Sequence, residues 1–135
     1  MTPLVRDLNA KYNPDLMVAV VDSSAATPTL LQEGILQTRG EIHAGESETA
    51  RMLAIAPDSV HMERAVDYIP SEPRSYLNYG SIFRLSPDGV WGNPTAASQE
   101  QGERILSRTA SLYADALCEA FTFMEKKEDF GYSRF

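Results

Sequence analysis

The sequence predicts an α/β fold in which helices cover an apolar strand, and three stretches carry that expectation. Leu16 to Val21 is an unbroken apolar run ending at Asp22, the pattern of a strand covered on both faces. A short amphipathic segment precedes it, and a much longer one begins near Ser98. The 135 residues leave room for one domain, or for one half of a larger one, and not for two independent cores.

Thr2 before Pro3 marks a helix start, since proline is tolerated at the first helical position. Leu4, Val5, Leu8 and Tyr12 then share a face, which predicts a helix over 3–12, broken by Asn13-Pro14-Asp15 before the strand over 16–21. Ser23 to Gly40 reads as loop, with a turn of helix at Leu30 to Glu33. Ser47 is placed to cap a helix whose body, Glu48 to Ile55, is rich in good helix formers and is ended by Pro57. Glu46 and Glu48 lie at its start, where the macrodipole favours negative charge. From Pro57 to Tyr79 the prolines and mixed polarity predict an irregular connection suited to binding or to a subunit contact.

Ile82, Phe83 and Leu85, then Val90 and Trp91, flank Ser86-Pro87-Asp88-Gly89, which predicts a hairpin. Ser98-Gln99-Glu100-Gln101 has capping-box spacing. Beyond it Leu106, Ala110, Tyr113, Leu117, Phe121 and Met124 recur every three or four residues, so a long amphipathic helix is expected, with Lys126 and Lys127 as its solvated end.

Composition narrows the function. Nineteen acids against 12 bases give a net charge of −7, which argues against non-specific binding to nucleic acid or anionic lipid. No apolar run approaches the roughly 18 residues a membrane span needs. A single cysteine, Cys118, excludes an intramolecular disulfide framework, and Met1-Thr2-Pro3-Leu4 has no secretory pattern, so a reducing cytoplasm is the expected compartment. The two histidines, His43 and His61, are too few for a self-sufficient histidine-rich metal centre.

The sharpest chemical signal is Glu41-Ile42-His43-Ala44-Gly45-Glu46-Ser47-Glu48-Thr49, a loop feeding a helix with one imidazole and three carboxylates. A histidine on a loop containing Gly45 can approach a substrate and move protons near neutral pH, and a first-turn glutamate can ligate a divalent metal or activate water. An exposed acidic helix start with a surface histidine fits the same residues. His61 reads as a surface or subunit-contact histidine. Trp91 either lines the mouth of a site or packs the hairpin onto the body. Cys118, without an adjacent base, reads as a buried small hydrophobe.

The run His43 to Thr49, followed at once by Met52-Leu53-Ala54-Ile55-Ala56-Pro57-Asp58-Ser59-Val60, resembles a segment of the creatininase (creatinine amidohydrolase) family. Gly89-Val90-Trp91-Gly92-Asn93-Pro94-Thr95-Ala96-Ala97 and Gly102-Glu103-Arg104-Ile105-Leu106 resemble a second part of it, in the same order. The resemblance implies a layered αβα creatininase-like fold of which residues 1–135 form the C-terminal half, with an incomplete sheet. It also implies a dinuclear divalent metal centre (Zn2+, Mn2+ or Fe2+) and a cytoplasmic homo-oligomer, commonly a hexamer. His43 matches the residue thought to handle substrate and proton transfer, and Glu48 matches a metal-associated carboxylate. The family's Glu-x-His-Gly segment, its following Asp and its Asn-Gly-His motif have no counterpart in these residues.

This chain alone is therefore expected to bind metal weakly and to be inactive until a missing N-terminal half or a partner chain completes it. A fragment of a longer reading frame is ranked first, a split subunit second and a minimal fold third. Where creatininase has a Trp-Asp pair, this chain has Arg39-Gly40, which argues against creatinine itself as the substrate. Arg39 is either a partner for a substrate carboxylate or phosphate or an ordinary surface arginine. Ala50 and Asn93 depart from the family's serine and aspartate. The expected function is metal-dependent hydrolysis of a C–N bond in a cyclic or linear amide, with catalytic His43 and Glu48, metal-bound Glu48, and substrate-facing Arg39, Gly45 and Trp91. A non-catalytic scaffold or assembly subunit and a peptide-maturation protease of the same family are the alternatives.

Overall fold

The computed structural model describes residues 2–12, 15–20 and 23–125. Four α-helices organise them: α1 (Thr2–Tyr12), α2 (Thr27–Gln32), α3 (Glu46–Ile55) and α4 (Gln99–Glu125), joined by loops and short 3₁₀ turns. The core is small. Ala26 and Leu30 from the start of the body, Ile35 and Leu36 beyond α2, Ala50 of α3 and Ile105 of α4 form one buried cluster, with Leu112 and Tyr113 packed against it.

Proline at the start of α2 suits a position whose N–H has no helical partner, and the chain turns out of the helix at Gly34, whose φ of 67° favours a residue without a side chain. That helix covers Thr27–Gln32, earlier and longer than the turn at Leu30 to Glu33 that the sequence predicts. α4 begins as predicted, with the Ser98 hydroxyl accepting the Gln101 N–H at 3.2 Å. The reciprocal half of the capping box is absent, because the Gln101 side chain turns inward instead. α3 and α4 pack together more extensively than any other pair of elements. They meet at Gly102, where a Cβ would strike the Ala50 carbonyl, so only glycine permits this close an approach.

Three expectations are corrected. First, residues 16–20 form no strand; their recorded tie is to α1, where the Asn9 amide donates to the Val18 carbonyl (2.9 Å) and accepts the Val18 N–H (2.6 Å). Leu16 and Val20 are exposed, because strand pairing needs neighbouring strands and the described residues supply none there. Val21 and Asp22, like the break at Asn13-Pro14, lie outside the described residues. Second, the predicted hairpin is absent: Ile82–Arg84 is a 3₁₀ turn in which Arg84 and Leu85 donate to Ser81 and Ile82, so local bonds replace a ladder. Third, Cys118 is exposed, together with Leu117 and Phe121, on the half of α4 that runs past the core. Lys126 and Lys127 lie outside the described residues.

Among the described residues the β pairing is limited to two single antiparallel bridges, His43 with Trp91 and Tyr68 with Gly92. Among the described residues no sheet is formed, and the creatininase-like layered αβα arrangement implied by the resemblance is not seen there. The irregular connection from Pro57 to Tyr79 is as expected, with 3₁₀ turns at Pro57–Ser59, Met62–Arg64 and Arg74–Asn78. It is fastened at Tyr68 to Gly92 and by the Asp67 carboxylate, which accepts the Thr95 N–H at 3.0 Å and the Thr95 hydroxyl.

Candidate active-site cleft

The start of α3 is held by carboxylates. A helix leaves its first N–H groups without partners, and Ser47 does not supply the cap that its position suggests. Glu41 does so from outside the helix, accepting the Glu46 N–H at 2.7 Å and the Ser47 N–H at 3.0 Å. Gly45 is required here, since a Cβ would overlap the Glu41 carboxylate. Burial pushes the Glu41 carboxyl above the ordinary glutamate range, against the two backbone donors that favour the charged form, and the neighbouring carboxylates Glu46 and Glu48 push the same way as burial.

Glu46 is fully buried and points away from the cleft. Its carboxylate accepts the Gln37 N–H (3.1 and 3.2 Å) and the Thr38 N–H (2.6 Å), and it receives the Gln101 side-chain amide. Gln101 also donates to the Ile35 carbonyl at 2.9 Å. One carboxyl group thus ties the segment before Arg39, the start of α3 and the first turn of α4 into a single unit, and a buried polar group of this kind is tolerated only when so fully hydrogen-bonded.

His43 stands on the loop above this unit. Its backbone is clamped to Trp91, with the Trp91 N–H donating to the His43 carbonyl at 2.9 Å and the Ile42 N–H donating to the Trp91 carbonyl at 2.8 Å. The next residue, Ala44, has a φ of 51°, a strained conformation for a side chain with a Cβ. The Glu48 carboxylate accepts the Ala44 N–H, and the same oxygen lies 3.9 Å from His43 Nδ1. Both His43 and Glu48 are exposed, so the imidazole is free to meet a ligand.

These groups line a cleft of about 740 Å³ together with Arg39, Gly45, Arg51 and Arg74. The structure therefore brings together His43, Glu48, Arg39 and Gly45 as the sequence suggests. Trp91 is buried at 3 % exposure and contributes its backbone beneath the loop rather than its ring to the cleft. His61 is elsewhere, exposed, with Glu63 at 3.3 Å. Sequence reasoning missed Glu41 as the helix cap, the Glu46–Gln101 tie, Arg51 and Arg74. Arg51 was the most accessible of these, since it lies three and four residues beyond Glu48 and Ser47 and so shares their face.

The donor set bears on metal binding. Among the described residues no three His, Cys, Asp or Glu side chains converge on one point. Glu46 is spent on buried hydrogen bonds and Glu41 on the helix start, which leaves His43 and Glu48, two donors where a stable ion site takes more. The described residues thus bring together fewer donors than a stable ion site takes.

The profile of the creatininase family, described as creatinine amidohydrolase, matches residues 1–117. The chain belongs to the creatininase family. It is 35% identical over 106 residues to a creatinine amidohydrolase of Pseudomonas putida, covering 75% of this chain and 39% of that protein. It is 38% identical over 71 residues to a mycofactocin precursor peptide peptidase of Mycobacterium ulcerans, covering 50% of this chain and 28% of that protein. In structure it is similar to a creatininase variant of Zn-Zn type, with a TM-score of 0.66 and 29% identity over 89% of this chain and 49% of that one. The chain thus spans half or less of the length of these relatives. Among its described residues no helix is long and apolar enough to cross a membrane.

Proposed function

We propose that residues 1–135 are the C-terminal half of a creatininase-family amidohydrolase that hydrolyses a C–N bond in a cyclic or linear amide other than creatinine. The observation that carries this reading is the placement of His43 and Glu48 on one cleft at the start of α3, on a strained loop braced from below. In the proposed reaction His43 hands a proton to the leaving nitrogen, and Glu48 holds the imidazole loop in place through the Ala44 N–H. Gly45 lines the cleft through its backbone. A divalent pair (Zn2+, Mn2+ or Fe2+) belongs to the completed protein, supported by the Zn-Zn type of the structural relative, with Glu48 as this chain's contribution and the other donors outside these residues. A cytoplasmic homo-oligomer, a hexamer by family resemblance, is part of the same proposal.

The peptidase relative favours a second reading, in which the substrate amide is a peptide bond. Co-expression with the N-terminal half of a family member, followed by assays on cyclic amides and short peptides with Zn2+ or Mn2+, tests both. Hydrolysis is expected in the complex and should fall at least about a hundredfold in His43→Ala. A folded complex that turns over nothing would leave the scaffold role, and undiminished turnover in His43→Ala would remove the histidine from the chemistry.

A further inference from the structure

Three arginines, Arg39, Arg51 and Arg74, open onto the cleft that holds His43 and Glu48. They come from three separate segments: the stretch pinned by Glu46 at Thr38, the second turn of α3, and the start of the 3₁₀ turn Arg74–Asn78. A charge run on one exposed helix is a solvated face, whereas arginines from three segments lining one cleft form a pocket feature. Among the described residues the ion pairs are Arg64–Glu63 and Arg108–Glu33, with His43 near Glu48 and His61 near Glu63, and none of these contacts involves the three arginines. The two carboxylates on the cleft are already engaged, Glu41 by the start of α3 and Glu48 by the Ala44 N–H. In a protein of net charge −7, the cleft thus sets three guanidiniums against two carboxylates, neither of them in an ion pair with an arginine.

We infer that the cleft takes an amide substrate bearing an oxyanion, a carboxylate or a phosphate, gripped by Arg39, Arg51 and Arg74 while His43 faces the scissile bond. The inference rests on the amidohydrolase reading and specifies its substrate class. Guanidinium forks match both oxyanions in shape and charge, and a cleft of about 740 Å³ suits a small molecule or a short peptide end rather than a single ion.

The test is a titration of the 135-residue chain by calorimetry and amide NMR shifts with N-acetylglycine, its neutral match N-acetylglycinamide, and inorganic phosphate. At least one anion should bind roughly tenfold or more tightly than the neutral amide, and Arg39→Gln and Arg51→Gln should each remove roughly that factor. Arg64→Gln, outside the cleft, should bind as the parent does. The tighter of the two anions identifies the substrate's charged group. Equal binding of charged and neutral probes, no binding of either anion, or an equal loss in Arg64→Gln overturns the inference. Thermal melts check that each variant is folded, and the exposed Arg39 provides a readout if Arg51→Gln is unstable. Because binding needs no turnover, anion selection by the chain beside an inert co-expressed complex removes the hydrolase reading alone, and a complex that cleaves neutral amides while the chain shows no anion selectivity removes this one alone.

Discussion

The two ends of α4 have opposite surroundings. Its first turns are built into the molecule: Gly102 lies against α3, Ile105 is buried, and Gln101 reaches the Glu46 carboxylate. Past Tyr113 the same helix keeps its apolar repeat but leaves Leu117 and Phe121 exposed at 41% and 63%. The difference teaches that a helical period is written for a partner, and that the described residues supply the partner only for the first half. α1 and the segment 16–20 belong with the second half, with Leu4, Leu16 and Val20 all exposed. The site stands on the well-packed side of this divide.

The largest expected effect would break that packed side. Glu46→Ala leaves the N–H groups of Gln37 and Thr38 and the Gln101 amide without their acceptor, and should destabilise the chain by roughly 3 kcal/mol or more in urea unfolding. A loss under about 1 kcal/mol would mean that the tie is decorative.

Glu41→Gln should have a smaller and pH-dependent effect. Because the carboxyl is raised in the folded chain, the folded state binds more protons than the unfolded state between the ordinary glutamate value of 4.5 and the raised one. That group's contribution to stability therefore falls as pH rises through this window and is constant above it. The glutamine keeps an acceptor for the start of α3 without the charge, so the dependence should flatten in that window. A parallel curve for parent and variant would show that the buried carboxyl is not the source.

The smallest effect is expected at the far end of α4, where Leu117→Asn with Phe121→Ser should change the stability of this chain by less than about 0.5 kcal/mol. The same pair should weaken co-purification with an N-terminal half. A large loss in the isolated chain would show that this end is already covered, and the comparison of the two helix halves would have to be redrawn.

What was legible in the sequence follows the range of the interactions concerned. α1, α3 and α4 announce themselves because a helix closes its hydrogen bonds within four residues and its apolar stripe is periodic. The His43-Ala44-Gly45 loop and Glu48 were legible for the same reason, and the strings around them marked the family. Glu46 was legible only as a helix-start carboxylate, since its role depends on Gln101, 55 residues away. Ser47 was misread as the cap because Glu41 reaches the same N–H groups from outside the helix.

By itself, then, the sequence determined three of the helices, the family and the loop that sets His43 near Glu48, because each is set by neighbours within a few positions. Tertiary structure decided the rest. Glu46 became a buried tie and Trp91 a floor beneath His43, while Arg51 and Arg74 were brought onto the same cleft as Arg39. The apolar run at 16–20 stayed out of any sheet, because a strand, unlike a helix, finds its hydrogen bonds only on another piece of chain.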